Sequence, residues 1–385
     1  MRLVAIYFPP GVRAGAHRRF VELTRSFAAR GHEVTLVCNE RLPVDDRRCF
    51  GNASILPVSL PSARFIGRPL ARAIAAGRWL RRHATAARDA EVALTFDDDD
   101  VLAGWWLRRR SRARLVLGVR SNSVSAHIQL RRAASDPLRR MRRWLSTVRL
   151  RARELLAALL ADEFIFQTAR DARDFRRRTR TPSRRTHVIP NSVQALWFDP
   201  ALRGANRSAR LRTLVFIGTL GDRKGAWPGL VTAFASLATD HPDLRLDLVG
   251  AGRQEADIRA FAAERGIHHR VILHGQVGNP LPLLAKADLL VVPSVWDSFP
   301  NVVLEAFWVG TPVIGTRNGG IPEMIGDARW TFDPLDPAAL SSLLFRLVTD
   351  PSEYQALRNQ CAGRSSVYDF DWAGEFEAVL RDGLA

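Results

Sequence analysis

Two carboxylates, Asp297 and Glu305, flank Pro300 in the stretch PSVWDSFPNVVLEAFWVGTPVIGTRNGGIPEMI, residues 293–325. A helix accepts proline in its first turn and not deeper, so Pro300 marks where a helix begins. The apolar run 289–292 leads in as a strand, a short apolar helix carries Glu305, and Gly310 reads as its stop. A second strand-like run, 312–315, enters a second turn, Asn318-Gly319-Gly320, with Glu323 behind it. That is the rhythm of consecutive β-α units in a parallel sheet. Each turn offers backbone N–H groups at a helix start with a carboxylate nearby. Together these suit an anionic ligand that also carries hydroxyls.

The rest of the chain must supply cations for such a ligand, and it has many. Lys and Arg number 57 against 39 Asp and Glu, a net charge of +18. Lys224 and Lys286 are the only lysines. Base composition of the gene accounts for arginine over lysine, but not for bases over acids. That excess points to an anionic partner: a membrane surface, a phosphorylated substrate or nucleic acid. The densest basic region, 105–153, interleaves arginine with Trp, Leu, Met and Val. It reads either as a basic amphipathic helix on an anionic membrane or as a solvated helix with Trp144 and Leu145 packed inward. Nucleic acid is a third reading, with no motif to accompany the charge. The acidic run 97–100 reads as a solvated loop or helix N-terminus, in preference to a metal cluster.

The elements that position these residues alternate strand and helix over 385 residues, enough for two domains. Hydrophobic content of 46% and charged content of 25% are those of a globular protein. Strands are expected at 3–8, 34–38, 54–58, 92–96, 115–119, 164–166 and 187–189. A helix over 16–30 carries Phe20, Leu23 and Phe27 on one face, and Gly31 ends it. The loop before it holds Gly11 and Gly15 without a GxGxxG pattern, so no nicotinamide or flavin site is expected. A polar, arginine-rich stretch, 201–211, reads as a linker. Strands at 213–218, 244–249, 271–273 and 289–292 then alternate with helices, and surface helices and a last helix over 371–384 close the chain. No apolar run approaches the roughly 18–20 residues of a membrane span, and 3–8 is too short for a signal-peptide core. Cys38, Cys49 and Cys361 form no disulfide or metal pattern, so a reducing cytoplasm is expected.

Six segments in order carry a resemblance: YFPPGVRAGAHRRFVELTRSFAARGHEVTLV, VIPNSV, FIGTLGDRKG, LDLVGAGRQ, VILHGQV and ADLLVVPS, followed by the stretch 293–325. With them the chain resembles the retaining glycosyltransferases of family 4 along essentially its whole length. The resemblance implies an α/β fold of two facing Rossmann-like domains (GT-B) with the active-site cleft between them. It implies an acceptor domain over 1–200, a nucleotide-sugar domain over 201–370, and a terminal helix over 371–385 packing back on the first.

The resemblance also implies roles. Lys224 matches the diphosphate-binding lysine, whose ammonium neutralises charge on the departing phosphate. The arginine usual five residues earlier is Thr219 here, and Arg223 stands beside Lys224 to compensate. Asp297 and Glu305 match the two acids of E-x7-E, with aspartate in the first place. Asp297 would lie by the donor sugar and Glu305 by the ribose hydroxyls. Phe299, Asn301 and Val302 would present amides to phosphate or sugar. Gly15 would let the backbone approach the diphosphate. His274 and Gly275 would read the nucleobase through the backbone, and Glu323 would lend support behind its glycines. Where many members carry a histidine after the strand 115–119, this chain has Arg120 and Asn122, either able to bind sugar or phosphate oxygens, and Arg120 is the nominated candidate for the reacting sugar.

The expected function is therefore retaining, metal-independent transfer of a sugar from a nucleoside diphosphate sugar to a glycan or lipid-linked acceptor. The expected setting is cell-surface polysaccharide assembly on the inner face of a membrane, with no cofactor and no specific nucleic acid. The alternatives are a nucleotide-sugar 2-epimerase of the same fold, a non-catalytic sugar-nucleotide binder and a basic nucleic-acid-binding protein.

Overall fold

A computed structural model describes residues 1–7, 15–39, 53–58, 73–78, 83, 88–96, 98–134, 136–195, 198–206, 209–221, 224 and 226–382. The chain divides into two compact units, one of residues 1–122, 148–196 and 371–385, the other of 123–147 and 197–370.

The first unit holds a parallel sheet of β1 (Arg2–Tyr7), β2 (Glu33–Asn39), β3 (Ser54–Val58), β4 (Val92–Thr95), β5 (Arg114–Val119), β6 (Glu163–Phe166) and β7 (Thr186–Val188). Their order is β3-β2-β1-β4-β5-β6-β7, so the sheet grows outward in both directions from β1 and β4. Strands buried on both faces read as apolar runs, as Val92–Thr95 does with every residue buried. Helix α1 (Gly15–Ala29) buries Phe20, Leu23 and Phe27, and Gly31 follows it at φ +81. Helix α2 (Val101–Arg108) follows β4. Two helices, α3 (Ser123–Arg132) and α4 (Pro137–Leu160), follow β5. The division between the units falls within α4. Helix α5 (Ala169–Thr179) is capped by Thr168, whose Oγ1 accepts from Asp171 N at 3.2 Å.

The second unit repeats the plan. Its sheet holds β8 (Thr213–Ile217), β9 (Arg245–Val249), β10 (Val271–Gly275), β11 (Leu289–Val292), β12 (Val313–Thr316) and β13 (Thr331–Phe332), ordered β10-β9-β8-β11-β12-β13. Its helices are α6 (Val231–Ala238), α7 (Glu255–Glu264), α8 (Leu281–Lys286), α9 (Asn301–Val309), α10 (Ile321–Ile325), α11 (Pro337–Thr349) and α12 (Pro351–Val367). The last helix, α13 (Trp372–Asp382), belongs to the first unit. There Arg30 Nη2 meets Asp371 Oδ2 at 2.6 Å and Phe376 packs edge-on to Phe96.

Three expectations need correction. The stretch 201–211 is no free linker: the Gly204 and Asn206 amides donate to the Trp308 and Val309 carbonyls at 2.8 Å each. Asn206 is itself buried, its Nδ2 donating to the Ala287 and Ala285 carbonyls. The acidic run does start a helix, but it is not solvated. Asp99 and Asp100 are buried, and Arg153 of α4 pairs with Asp98 at 2.9 Å and with Asp99. Asp97 lies outside the described residues. Trp144 and Leu145 do not pack inward; they are 49% and 56% exposed.

Candidate functional site

Open α/β sheets bind ligands beyond the carboxyl ends of their strands, where the strand order reverses. In the second unit that point lies between β8 and β11. The loop after β8 carries Lys224, and the loop after β11 carries Asp297. The two side chains meet there, Lys224 Nζ lying 2.5 Å from Asp297 Oδ2. Lys224 is about a third exposed and Asp297 about a fifth, so the pair faces solvent and is open to a ligand.

Both loops are held by glycines. The Gly218-Thr219-Leu220 turn is threaded against Gly250-Ala251-Gly252, with Gly218 N donating to Val249 O at 2.9 Å and Leu220 N to Ala251 O at 3.1 Å. A Cβ on Gly250, itself at φ +135, would stand 2.0 Å from Gly218 O. The Asp297 loop is held from the other side by Gly319 and Gly320. Gly320 N donates to Asp297 O at 2.9 Å, and a Cβ on Gly319 would fall 1.9 Å from that same oxygen. From sequence the Asn318-Gly319-Gly320 turn read as a second anion site. In the structure its glycines serve to bring one backbone against another.

Pro300 stands one residue ahead of the expected place, at the N-cap of α9 in extended conformation, and Asn301 opens the helix. Asp297 Oδ1 accepts from Phe299 N at 3.3 Å. Among the described residues the amides of Asn301 and Val302 meet no protein acceptor, as expected at a helix start. The Asn301 Oδ1 is buried without a hydrogen-bond partner. Phe299 itself is buried edge-on to Tyr368, and Val302 is half-buried. Glu305 sits half-buried on the second turn of α9. Glu323 is exposed on α10, its carbonyl accepting from Arg364 Nη2 at 2.9 Å. Gly310 ends α9 at φ +83, as its sequence position implies.

Other expected residues are placed less suggestively. Thr219 is exposed in the loop after β8, and Arg223 lies outside the described residues. His274 turns its Nε2 toward Asp247 of the neighbouring strand at 3.3 Å. The Gly275 carbonyl accepts from Gly250 N at 2.8 Å, which ties β10 to the glycine turn behind Lys224. Gly15 opens α1 in the first unit. Cys361 is no nucleophile: burial pushes its thiol up to about 12.

In the first unit Arg120 follows β5 with its guanidinium 5.1 Å from the centre of the Phe96 ring. It belongs to a polar group that the sequence did not announce. With its amide turned to suit its neighbours, Gln167 donates to the Arg120 carbonyl at 3.0 Å. In that orientation it accepts from Arg19 Nη1 at 2.6 Å and Asn191 Nδ2 at 2.5 Å. Arg19, Gln167 and Asn191 are all buried. The signal was present in VIPNSV, whose asparagine is Asn191, but nothing in the sequence linked it to Arg19 or Gln167. Asn122 is committed elsewhere, donating to Asp171 Oδ1 at 2.9 Å and accepting from Arg178 at 3.0 Å.

Among the described residues no three His, Cys, Asp or Glu side chains are grouped to hold a metal ion. Among them, too, no helix is long and apolar enough to cross a membrane.

Comparison with known proteins agrees with this geometry. The model of "Glycosyltransferase Family 4" matches residues 13–195, and that of "Glycosyl transferases group 1" matches residues 211–350. The N-acetyl-alpha-D-glucosaminyl L-malate synthase of Bacillus anthracis is 35% identical over 142 residues, 36% of this chain and 36% of its own length. The chain spans 36 to 59% of the length of the first curated relatives it matches. Among solved structures, sucrose-phosphate synthase from Thermosynechococcus elongatus superposes with a TM-score of 0.75 at 19% identity over 99% of each chain. Anabaena Alr3699/HepE in complex with UDP gives 0.74 at 15% identity, over 99% of this chain and 100% of that one. At such identities the likeness is one of fold.

Proposed function

The chain belongs to the family 4 glycosyltransferases of GT-B fold, and from that premise we propose that it transfers a sugar with retention from a nucleoside diphosphate sugar. The acceptor is a hydroxyl of a lipid-linked or glycan substrate. The observation that carries the reading is the Lys224–Asp297 contact at the reversal point of the second sheet. Alone, the two side chains satisfy each other. A donor diphosphate competes for the Lys224 ammonium, and Asp297 is then free to accept hydrogen bonds from sugar hydroxyls. The amides of Asn301 and Val302 and the start of α9 add further positive potential for phosphate oxygens.

In the transfer, the bond from sugar C1 to the diphosphate oxygen breaks and the acceptor oxygen bonds to C1 on the same face. The acceptor proton passes to an oxygen of the leaving diphosphate. The protein contributes positioning and stabilisation of the leaving charge, with Lys224 in the main electrostatic role. Lysine and amides supply the charge that a metal would, so we read the reaction as metal-independent. Glu305 would hold the ribose hydroxyls, and Arg120 is kept as the first unit's candidate for binding sugar.

Helix α4 supports a membrane setting. Leu138, Met141, Leu145, Val148, Leu155 and Leu159 are all exposed, and they recur at alternating three- and four-residue steps apart from Ala152 in one place. Such a stripe seeks cover. A second copy of the helix would set Arg149 and Arg151 against their own kind. An anionic bilayer covers the leucines and neutralises the arginines together. We therefore place the protein at the inner, cytoplasmic face of a membrane.

The test is incubation of purified protein with a panel of nucleoside diphosphate sugars and a membrane lipid extract, following label into lipid and glycan. Anomeric configuration of the product, read by NMR, tests retention, and excess chelator should leave the rate unchanged. Asp297→Asn should slow transfer by about tenfold while free nucleotide binds as well or better, because Lys224 loses its competitor. Nucleotide-sugar binding without transfer to any acceptor would sink the enzyme reading.

A further inference from the structure

Beside the Lys224 and Asp297 loops the second unit encloses a cavity of about 830 Å³, within the usual range for small-molecule sites. It belongs to neither loop's polar tip. Pro293 and Val295 line it just before Asp297, and Trp227 lines it just after Lys224. Its lining is of two chemical kinds. Leu130, Trp227, Phe332, Pro334, Leu335 and Leu340 are apolar. Arg139, Arg142 and Arg143 of α4 are cationic, as is Arg253 from the loop after β9.

Arg142 and Arg143 are not there to balance carboxylates. Among the described residues neither Arg142 nor Arg143 has a carboxylate within ion-pair range. Arg139 reaches only Asp136 at 3.8 Å, on the exposed surface. The two acids in the lining are engaged as turn caps, Asp333 Oδ1 accepting from Leu335 N and Asp336 Oδ1 from Ala338 N. Three arginines within one and a half turns repel one another, a cost that an anion removes. An arginine fork suits the oxygens of a phosphate. An inorganic anion alone leaves the apolar lining unused, and an uncharged lipid leaves Arg142 and Arg143 unpaired. The same turns of α4 expose Leu138, Met141 and Leu145 on their other side.

We propose that this cavity binds a phosphate or diphosphate group that bears an apolar chain. The phosphate lies on Arg142, Arg143 and Arg253, and the first carbons of the chain lie along Trp227, Phe332 and Leu335. Given the glycosyltransferase reading, on which this role rests, the ligand is the lipid-phosphate portion of the acceptor, held next to the donor loops. Nothing in the arrangement selects among acceptor sugars; it selects for a lipid-borne phosphate over a free one.

Calorimetric titration with farnesyl diphosphate, inorganic diphosphate and farnesol separates the sources, with nucleoside diphosphates titrated on the same samples. Farnesyl diphosphate should bind at least about tenfold more tightly than either other probe. Arg142→Ala with Arg143→Ala should weaken it by about tenfold or more, and Leu335→Gln should weaken it without affecting inorganic diphosphate. Arg149→Ala with Arg151→Ala, on α4 but outside the cavity, should leave the affinity for farnesyl diphosphate in membrane-free solution unchanged, whatever it does to membrane binding. Equal binding of inorganic and farnesyl diphosphate overturns the proposal, because the chain then plays no part. So does equal loss in the Arg149/Arg151 pair, which would make the effect one of general charge. Nucleotide binding without farnesyl diphosphate binding removes the cavity assignment and leaves the donor site standing. Arginine-dependent farnesyl diphosphate binding in a protein that binds no nucleotide keeps the cavity and removes the glycosyltransferase reading.

Discussion

Each sheet reverses its strand order once, and each has an acid–base contact beyond that point, but the two contacts are built for different ends. In the first unit the acids follow β4, with Asp99 and Asp100 buried and Arg153 closing on Asp98 and Asp99. In the second, Lys224 after β8 meets Asp297 after β11, both partly exposed. A guanidinium is a rigid fork that can hold two carboxylates at once, and burial makes its loss costly. An ammonium on a flexible stem, partly in solvent, holds one oxygen and can turn to another. So the same place in two copies of one architecture carries a structural clasp in one unit and an exchangeable contact in the other.

The sharpest way to break this contrast is to remove each cation. Lys224→Ala should cut sugar transfer by about 10²–10³-fold, the usual loss when one charge-stabilising group is taken from such a site. Its thermal midpoint should scarcely move, because a partly exposed pair contributes little to stability. Arg153→Ala should do the opposite, leaving the donor site intact but stranding Asp99 beside Asp100. With Arg153 itself partly exposed, a loss of about 2 kcal/mol is expected, read as a lowered midpoint in denaturant. If Arg153→Ala spared stability and abolished transfer, the acids after β4 would have to be counted as part of the site.

Two glycines give a finer version of the same test. Gly31, after α1, and Gly319, after β12, share a left-handed φ, +81 and +67. Around Gly31 an added Cβ meets nothing within 4 Å, whereas at Gly319 it would run into the Asp297 carbonyl oxygen at 1.9 Å. Gly31→Ala should therefore cost only the conformational penalty, about 1 kcal/mol, with unaltered kinetics. Gly319→Ala must displace a backbone that carries Asp297. It should cost more stability than Gly31→Ala and also lower transfer by about tenfold or more, by moving the carboxylate off Lys224. Steady-state rates on the two folded variants decide it.

Much of this was legible in the residues because the strands are apolar runs bounded by glycine and the helices keep their period. Lys224 and Asp297 stood out by residue type and by motif spacing. Their contact did not, since it joins loops 73 positions apart through the parallel order of β8 and β11. Gly319 looked like a phosphate turn because a glycine that approaches a ligand and one that approaches backbone have the same signature in sequence. The Arg153 clasp was missed for the same long-range reason. A run of aspartates looks solvated until its arginine, more than fifty positions on, is seen to fold over it. The group of Arg19, Gln167, Asn191 and Arg120 is assembled from helix α1 and the loops after β5, β6 and β7, and has no local pattern at all.

The smallest expected effect concerns a third acid–base contact, one in which the base is a histidine. His32, buried behind α1, has its Nε2 3.0 Å from Glu377 Oε1 of α13, off the line of a good hydrogen bond. Burial depresses its proton affinity below the ordinary value of 6.5, and the Glu377 charge only partly opposes that. For Glu377, burial acts to raise the pKa, but bonding and charge from Arg381 and His32 outweigh it and leave the group below its usual 4.5. The signs agree. Below 6.5 the unfolded chain takes up a proton at His32 that the folded chain resists, so stability falls as pH drops from 6.5 towards the lower folded value. The carboxylate adds a further loss as pH passes below 4.5. Of this pair, the histidine is the group that contributes between pH 7 and pH 5.5, and for one partly opposed group the midpoint should fall by about 1–2 °C. His32→Gln should flatten that part of the profile without touching the step below 4.5. An unchanged slope in the glutamine variant would show that the acid sensitivity arises elsewhere, and that α13 is held by Arg30 and the Phe96–Phe376 contact without help from His32.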